Sequence, residues 1–222
     1  MRIAVRVASL LTFVLLVACA SVPPPPADPG AREWKLLEDG NAAFRTGTIT
    51  FTGLRGRRET QAPPVTVLAC SDSRVPPELV FHQTLGRLFV VRTAGNVADA
   101  FGIASIEYAI EKGYTKLLVI LAHEKCGAVE EAIKADPQCP IEATPSLDAL
   151  VKKILESFTP PCCTLQQPNC WVDRTRGNAL YAVSDLKKRS TVIRDAIDVR
   201  RLPVVVAYFD LDGNVTVWQR IH

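Results

Sequence analysis

Histidine is scarce in this 222-residue chain, which has only His82, His123 and His222. A site built on imidazole therefore has few candidates, and one of them is the last residue. An excess of charge of one sign is also missing. Lys and Arg number 26 against 23 Asp and Glu, a formal charge of +3. That balance is too small to argue for a nucleic-acid partner, and no basic stripe is interleaved with aromatics. Arg57-Arg58 reads as a solvated loop. Long apolar runs are lacking too. The N-terminal run at residues 8–18 falls well short of the roughly 20 residues that cross a bilayer. No internal repeat is present, so a solenoid is excluded.

What is present is ordinary globular material, 48% hydrophobic and 22% charged, long enough for one domain with a sizeable core. The first thirty residues differ. Arg2 and Arg6 precede the apolar run, as in a secretory signal. The run ends in Leu16-Val17-Ala18-Cys19, which resembles the bacterial lipobox and makes Cys19 the expected lipidated residue. Residues 1–18 are thus read as a signal peptide. Residues 19–31, with four consecutive prolines, are read as a polyproline II tether, and residues 32–222 as one domain. The expected location is the periplasmic side of a bacterial cell envelope, with membrane contact through the lipid alone. Ala20 after Cys19 favours the outer membrane. Losing Arg2 and Arg6 leaves a near-neutral domain.

Of the seven cysteines, Cys139, Cys162, Cys163 and Cys170 share a Pro-rich stretch. In an exported chain an even set permits two disulfides with three connectivities, so a stapled insertion is expected at about 136–174.

Helical spacing occupies residues 33–44, although Gly40 weakens it. Four short runs rich in Val, Ile and Leu follow, at 65–70, 88–93, 116–123 and 204–209. Their continuous apolar character suits parallel strands buried on both faces. Helical patterns lie between them, at 97–112, 127–134, 147–158 and 176–198. Alternating strands and helices make this an α/β domain with a mostly parallel central sheet of about four strands. An Asp-Gly turn within residues 211–219 adds an antiparallel edge strand.

Strand ends matter because open α/β sheets bind ligands beyond the carboxyl ends of their strands. Cys70 ends one run, and His123 with Cys126 ends another. Two thiolates and an imidazole suit tetrahedral zinc, and three protein ligands leave the open position of a catalytic site. His82 and Asp72 remain possible fourth ligands. Singly each signal is weak, since a buried strand-end cysteine is usually inert packing. A phosphatase-type cysteine nucleophile needs its arginine six residues on. Here Arg74 stands four after Cys70 and Pro76 takes the sixth place, so that reading fails.

Cys70-Ser71-Asp72-Ser73-Arg74, Val91-Arg92-Thr93-Ala94-Gly95-Asn96 and His123-Glu124-Lys125-Cys126-Gly127 together resemble the motifs of the β-class carbonic anhydrases, in order. The likeness runs from about Trp34 to the last strand, broken by the Cys-bearing insertion. The resemblance implies reversible hydration of CO2 to bicarbonate and a proton by a zinc-bound hydroxide, with one zinc on Cys70, His123 and Cys126. It makes Asp72 the acceptor of the hydroxide's hydrogen bond and Arg74 the group that holds Asp72. In some members the matching Asp instead coordinates the metal and shuts the site. Gln61 matches a glutamine that binds bicarbonate across a dimer interface, and Gly127 would start a helix whose amides favour an anionic product. A homodimer or higher homo-oligomer is expected. The chain departs from the family at Ala122, usually Gly, in its Thr93-Ala94-Gly95 segment, and at His82 and Arg87, where relatives often carry Asp. His82 is a candidate proton shuttle. Two other readings stand beside this one: a zinc hydrolase of carbonyl sulfide or carbon disulfide, and a non-catalytic zinc-binding envelope lipoprotein.

Overall fold

The computed structural model describes residues 30–46, 60–135, 144–159, 164–167 and 169–222. The expected signal segment and most of the tether lie outside the described residues, as do Cys19, Cys139, Cys162 and Cys163.

Five strands form one sheet in the order β2-β1-β3-β4-β5. Strands β1 (Val65–Cys70), β2 (Leu88–Thr93), β3 (Leu117–His123) and β4 (Val204–Phe209) are parallel, and β5 (Val215–Ile221) runs antiparallel along β4. The expected four parallel strands with an antiparallel edge are observed. Every residue of β1 and β3 is buried, because helices cover both faces. Successive strand side chains point to opposite faces. Val65, Val67 and Ala69 join the core beneath α1 (Ala31–Arg45), α4 (Gly127–Lys134) and α5 (Pro145–Leu155). Leu68, Leu118 and Ile120 join the core beneath α3 (Ala100–Glu111), α6 (Cys170–Arg189) and α7 (Thr191–Asp198). The short α2 (Pro77–Val80) follows the loop after β1.

Several boundaries differ from the sequence reading. Ala31, assigned to the tether, is the first residue of α1. The run at 88–93 was expected to be buried on both faces, but β2 is the sheet's other edge and is mostly half-exposed. The helix expected at 97–112 starts at Ala100, because the Asp99 side chain caps it by accepting from the Gly102 amide. The single helix expected at 176–198 is two. Ser190 leaves helical geometry (φ −132°, ψ 119°), and its hydroxyl accepts from the Ile193 amide to cap α7. The apolar periodicity continues across that break, which hides it from a pattern-based reading. Within the expected insertion, α5 sinks Val151 and Ile154 into the core. Cys170, buried at the head of α6, is disulfide-bonded.

Gly40 does not interrupt α1, and its role is close approach. A Cβ there would run into the carbonyl carbon of Phe81 at 2.7 Å and Gln83 Nε2 at 2.8 Å, with the Phe81 carbonyl oxygen nearer still. The adjacent Asn41 is buried and donates to the Val80 and Gly213 carbonyls at 2.8 and 3.1 Å, tying α1 to the end of α2 and to the β4–β5 turn. Gly40→Ala therefore tests two opposed effects. Helix propensity favours Ala by about 1 kcal/mol, whereas overpacking against rigid backbone costs about 1–3 kcal/mol. Urea denaturation should show a net loss of stability; a gain would refute the close contact.

Candidate metal centre

The two sequence motifs meet at the carboxyl edge of the sheet because β1 and β3 are hydrogen-bonded neighbours. Cys70 is the last residue of β1 and His123 the last of β3. Beyond His123 the chain makes a tight turn in which Lys125 takes a left-handed conformation (φ 51°), and Cys126 becomes the N-cap of α4. Ala122 continues the ladder opposite Tyr208, so the departure from the family's usual Gly leaves the strand regular.

Cys70 Sγ and Cys126 Sγ lie 3.9 Å apart. The donor atoms of Cys70, His123 and Cys126 all fall within 4.8 Å of one another, and all three residues are buried. Two sulfurs bound to one tetrahedral zinc at about 2.3 Å are separated by about 3.8 Å, so the observed pair is already spaced for the ion. His123 Nδ1 lies 2.8 Å from the Glu124 carbonyl oxygen. Donation to that carbonyl puts the ring proton on Nδ1 and leaves the lone pair on Nε2, the usual arrangement of a metal-ligating histidine. Nε2 is buried and has no hydrogen-bond partner among the described residues. A buried nitrogen left in this state is costly unless something completes it, and a cation between it and the two sulfurs does so. The donor set therefore fits zinc.

Electrostatics reinforce this fit. The Cys126 thiol, first of all, then the adjacent His123 ring and the Asp72 and Gly95 amides, push the Cys70 thiol well below its ordinary value against the opposing effect of burial. The Gly95 amide donates to Cys70 Sγ at 3.3 Å. Cys126 is pushed up by the adjoining Cys70 sulfur and by burial, against the pull of the Val129 and Ala128 amides at the head of α4. Without a cation the pair holds one proton; a divalent ion allows both sulfurs to ionise.

Asp72 sits beside this group, with Oδ2 4.0 Å from His123 Nε2. Arg74 grips it by two side-chain bonds, Nε to Oδ1 at 2.9 Å and Nη2 to Oδ2 at 2.6 Å, and the Arg74 backbone amide adds a third at 2.9 Å. The Arg74 guanidinium holds the Asp72 carboxyl down at about 2. Its Nη2 also donates to the Lys125 carbonyl at 3.1 Å, so one side chain ties the Asp72 loop to the His123–Cys126 turn.

Of the other expected site residues, Gly127 starts a helix as expected, whereas Gln61 and His82 are not in the ligand cluster. Gly127 opens α4, and a Cβ added there meets nothing within 4 Å. Gln61 is exposed in the segment entering the amino end of β1, so a single chain does not bring it to the centre. His82 follows α2 in left-handed geometry (φ 43°) and is not part of the ligand cluster.

Residues to which the sequence reading gave no role complete the frame. Arg92 donates to the Cys70 carbonyl at 2.9 Å and to the Asp72 carbonyl at 2.6 Å. Its signal was its place in the Val91–Asn96 motif, which carried no role for the side chain. Asn178, buried on α6, donates to the Gly95 carbonyl at 2.8 Å and holds the turn whose amide meets Cys70. Glu124 accepts from the Leu211 amide at 3.0 Å. Neither Asn178 nor Glu124 has a local signature that announces the role.

Elemental analysis of the purified chain should give about one zinc per chain. His123→Ala and Cys126→Ser should each reduce it to a small fraction; retention in both would dismiss this site. Asp72 gives a second test. Its carboxyl is depressed below the ordinary 3.8, so its contribution to stability is complete above that value and is lost as pH falls toward about 2. The stability difference between the wild-type chain and Asp72→Asn should be constant above about pH 5 and shrink below pH 4. A difference independent of pH would contradict the ion pair.

A sequence profile of the carbonic anhydrases matches residues 65–215. The chain is 40% identical over 193 residues to carbonic anhydrase 2 of Mycobacterium tuberculosis, a match covering 83% of this chain and 90% of that one. It is 35% identical over 190 residues to a carbonic anhydrase of Mycolicibacterium smegmatis, covering 82% and 90%. Among solved structures, the Coccomyxa β-carbonic anhydrase in complex with acetazolamide has a TM-score of 0.64 at 20% identity, covering 86% of this chain and 84% of that one. A β-carbonic anhydrase from Sordaria macrospora, one of two described as tetrameric, has a TM-score of 0.59 at 23% identity, covering 73% and 84%. At those identities the structures show the fold alone, and the sequence matches carry the kinship. With its paired cysteines and histidine at the carboxyl edge of that fold, the chain belongs to the β-class carbonic anhydrases.

Proposed function

We propose that the chain hydrates CO2 reversibly at a zinc held by Cys70, His123 and Cys126, on the periplasmic side of a bacterial envelope to which a lipid on Cys19 anchors it. The observation that carries the catalytic reading is the buried, unpartnered His123 Nε2 facing two thiols 3.9 Å apart, with an ionised carboxylate 4.0 Å away. A purely structural site has no use for that carboxylate. Zinc bound there would supply Lewis acidity that makes water nucleophilic, though less acidic than in the three-histidine carbonic anhydrases because two thiolates offset the ion's charge.

The residues of this chain do the rest. Glu124, through its carbonyl, fixes the tautomer and aim of His123. Asp72 accepts a hydrogen from the attacking oxygen and orients its lone pair toward CO2. Arg74 keeps Asp72 ionised and turned to one side, an arrangement that favours the open site over one closed by Asp72 ligation. The amides at the head of α4, beside the uncovered face of Gly127, favour the anionic product. Assembly as a dimer or tetramer is part of the proposal, supported by the half-exposed edge strand β2 and by Phe101, which is 83% exposed. In such an assembly a partner's Gln61 would bind bicarbonate.

Stopped-flow CO2 hydration tests the reaction. Two thiolate ligands cancel the ion's formal charge, so the rate should rise toward alkaline pH. Asp72→Asn should keep zinc and lose about 10²–10⁴ in kcat. A flat profile down to acid pH would count against the ligand chemistry. Unchanged turnover in Asp72→Asn would remove Asp72 from the mechanism. Zinc-loaded protein that hydrolyses carbonyl sulfide but leaves CO2 untouched would move the assignment to the analogue hydrolases.

A further inference from the structure

The opposite edge of the sheet carries a second feature, unrelated to the metal centre. At the amino ends of β3 and β4 lies an open groove of about 300 Å³, with Lys116, Arg200 and Arg201 on its walls and Leu202 and Pro203 among its apolar lining. The three basic side chains are exposed, and none forms an ion pair among the described residues. The nearby acids are engaged or outside: Asp195 pairs with Arg194, Asp198 with Lys187, and Glu111 does not line the groove. Arg201 is held in left-handed backbone geometry (φ 58°). Val199, just before the two arginines, is an apolar side chain left 73% exposed. A groove with three uncompensated cations beside a bare apolar side chain suits an interface with phosphate on one side and hydrocarbon on the other.

The course of the chain selects the partner. Gly30, at the root of the tether, packs against the same edge: a Cβ there would stand 2.6 Å from Pro203 Cγ and 3.4 Å from Leu117 Cδ1. Residues 19–29 therefore attach beside the groove. The polyproline II tether expected from the sequence, at about 3.1 Å per residue, would reach no more than about 34 Å from Cys19. The metal centre of the same chain lies at the far ends of these strands, about 20 Å away, so a surface docked on the amino edge lies on the side away from that chain's own centre.

We propose that the amino edge of the sheet is a docking face for an anionic phospholipid surface, with a headgroup phosphate between Lys116, Arg200 and Arg201 and Val199 at the acyl boundary. The inference rests on the lipid-anchor reading only for what brings the chain to a bilayer. Each basic side chain at an anionic leaflet favours the docked state about fivefold, and three together about a hundredfold.

The test uses the full chain, processed in its own membrane, extracted and reconstituted into vesicles of phosphatidylcholine alone or mixed with phosphatidylglycerol. Hydrogen exchange at residues 113–116 and 199–203 should be slowed in the anionic vesicles alone. The protection should vanish at about 0.5 M salt and in the Lys116→Gln/Arg200→Gln/Arg201→Gln variant, with CO2 hydration the same throughout. Equal exchange in both lipids, or protection that survives in the variant, would overturn the proposal. So would equal protection by inorganic phosphate with neutral vesicles, which would assign the groove to a free anion. The anchor is judged separately by intact mass. If Cys19 carries no lipid, that reading fails, and sedimentation with preformed vesicles still decides the docking face: binding to anionic vesicles, lost in the variant, supports it, and no binding overturns it.

Discussion

Everything at the catalytic edge depends on bringing two thiols and one imidazole together out of water. Sulfurs 3.9 Å apart cannot both ionise comfortably in a buried setting, and an imidazole nitrogen without a partner cannot remain there at no cost. One divalent cation resolves both problems. The sheet carries the burden of presenting the donors correctly. Cys70 and His123 end adjacent parallel strands whose ladders extend to those residues on the β2 and β4 sides, so neither donor rests on a mobile loop. The third donor is on a helix cap, where its sulfur faces the Ala128 and Val129 amides. Rigid elements at three points give a geometry that the metal does not have to impose.

Around those donors two arginines play different parts. Arg92 is half-buried and, among the described residues, donates to the backbone carbonyls of Cys70 and Asp72. It shapes the loop that carries Asp72. Arg74 is exposed and bonds to a carboxylate, so its charge governs the ionisation of Asp72 while its bond to Lys125 joins two loops. The two cannot be exchanged, although both lie within a few residues of the same cysteine in space.

The legible part of this protein was the part written in short-range pattern. Continuous apolar runs gave away the parallel strands, and the placement of Cys70 and His123 at run ends put the donors on one edge. What stayed hidden is tertiary. Gly40 looks like a helix weakener until the Phe81 carbonyl is seen lying against it. Ser190 breaks a helix with a cap that apolar periodicity passes over. The run at 88–93 is apolar enough for a central strand, yet it is an edge, because strand order does not follow chain order. Asn178 reaches Gly95 from 83 positions away, a distance that no window-based reading spans.

The same sheet also separates two jobs. Parallel strands send all four carboxyl ends to one side, where the motifs lie, and all four amino ends to the other. The root of the tether and the three basic side chains of the groove lie on that second side. A near-neutral domain could not be oriented on a charged surface by its net charge, since the long-range field largely cancels. Orientation must then come from a local patch, and the only stretch of this chain already tied to the bilayer in the proposed arrangement ends at that patch. The polarity of β1, β3 and β4 thereby decides which way the catalytic edge faces once the amino edge is against a surface.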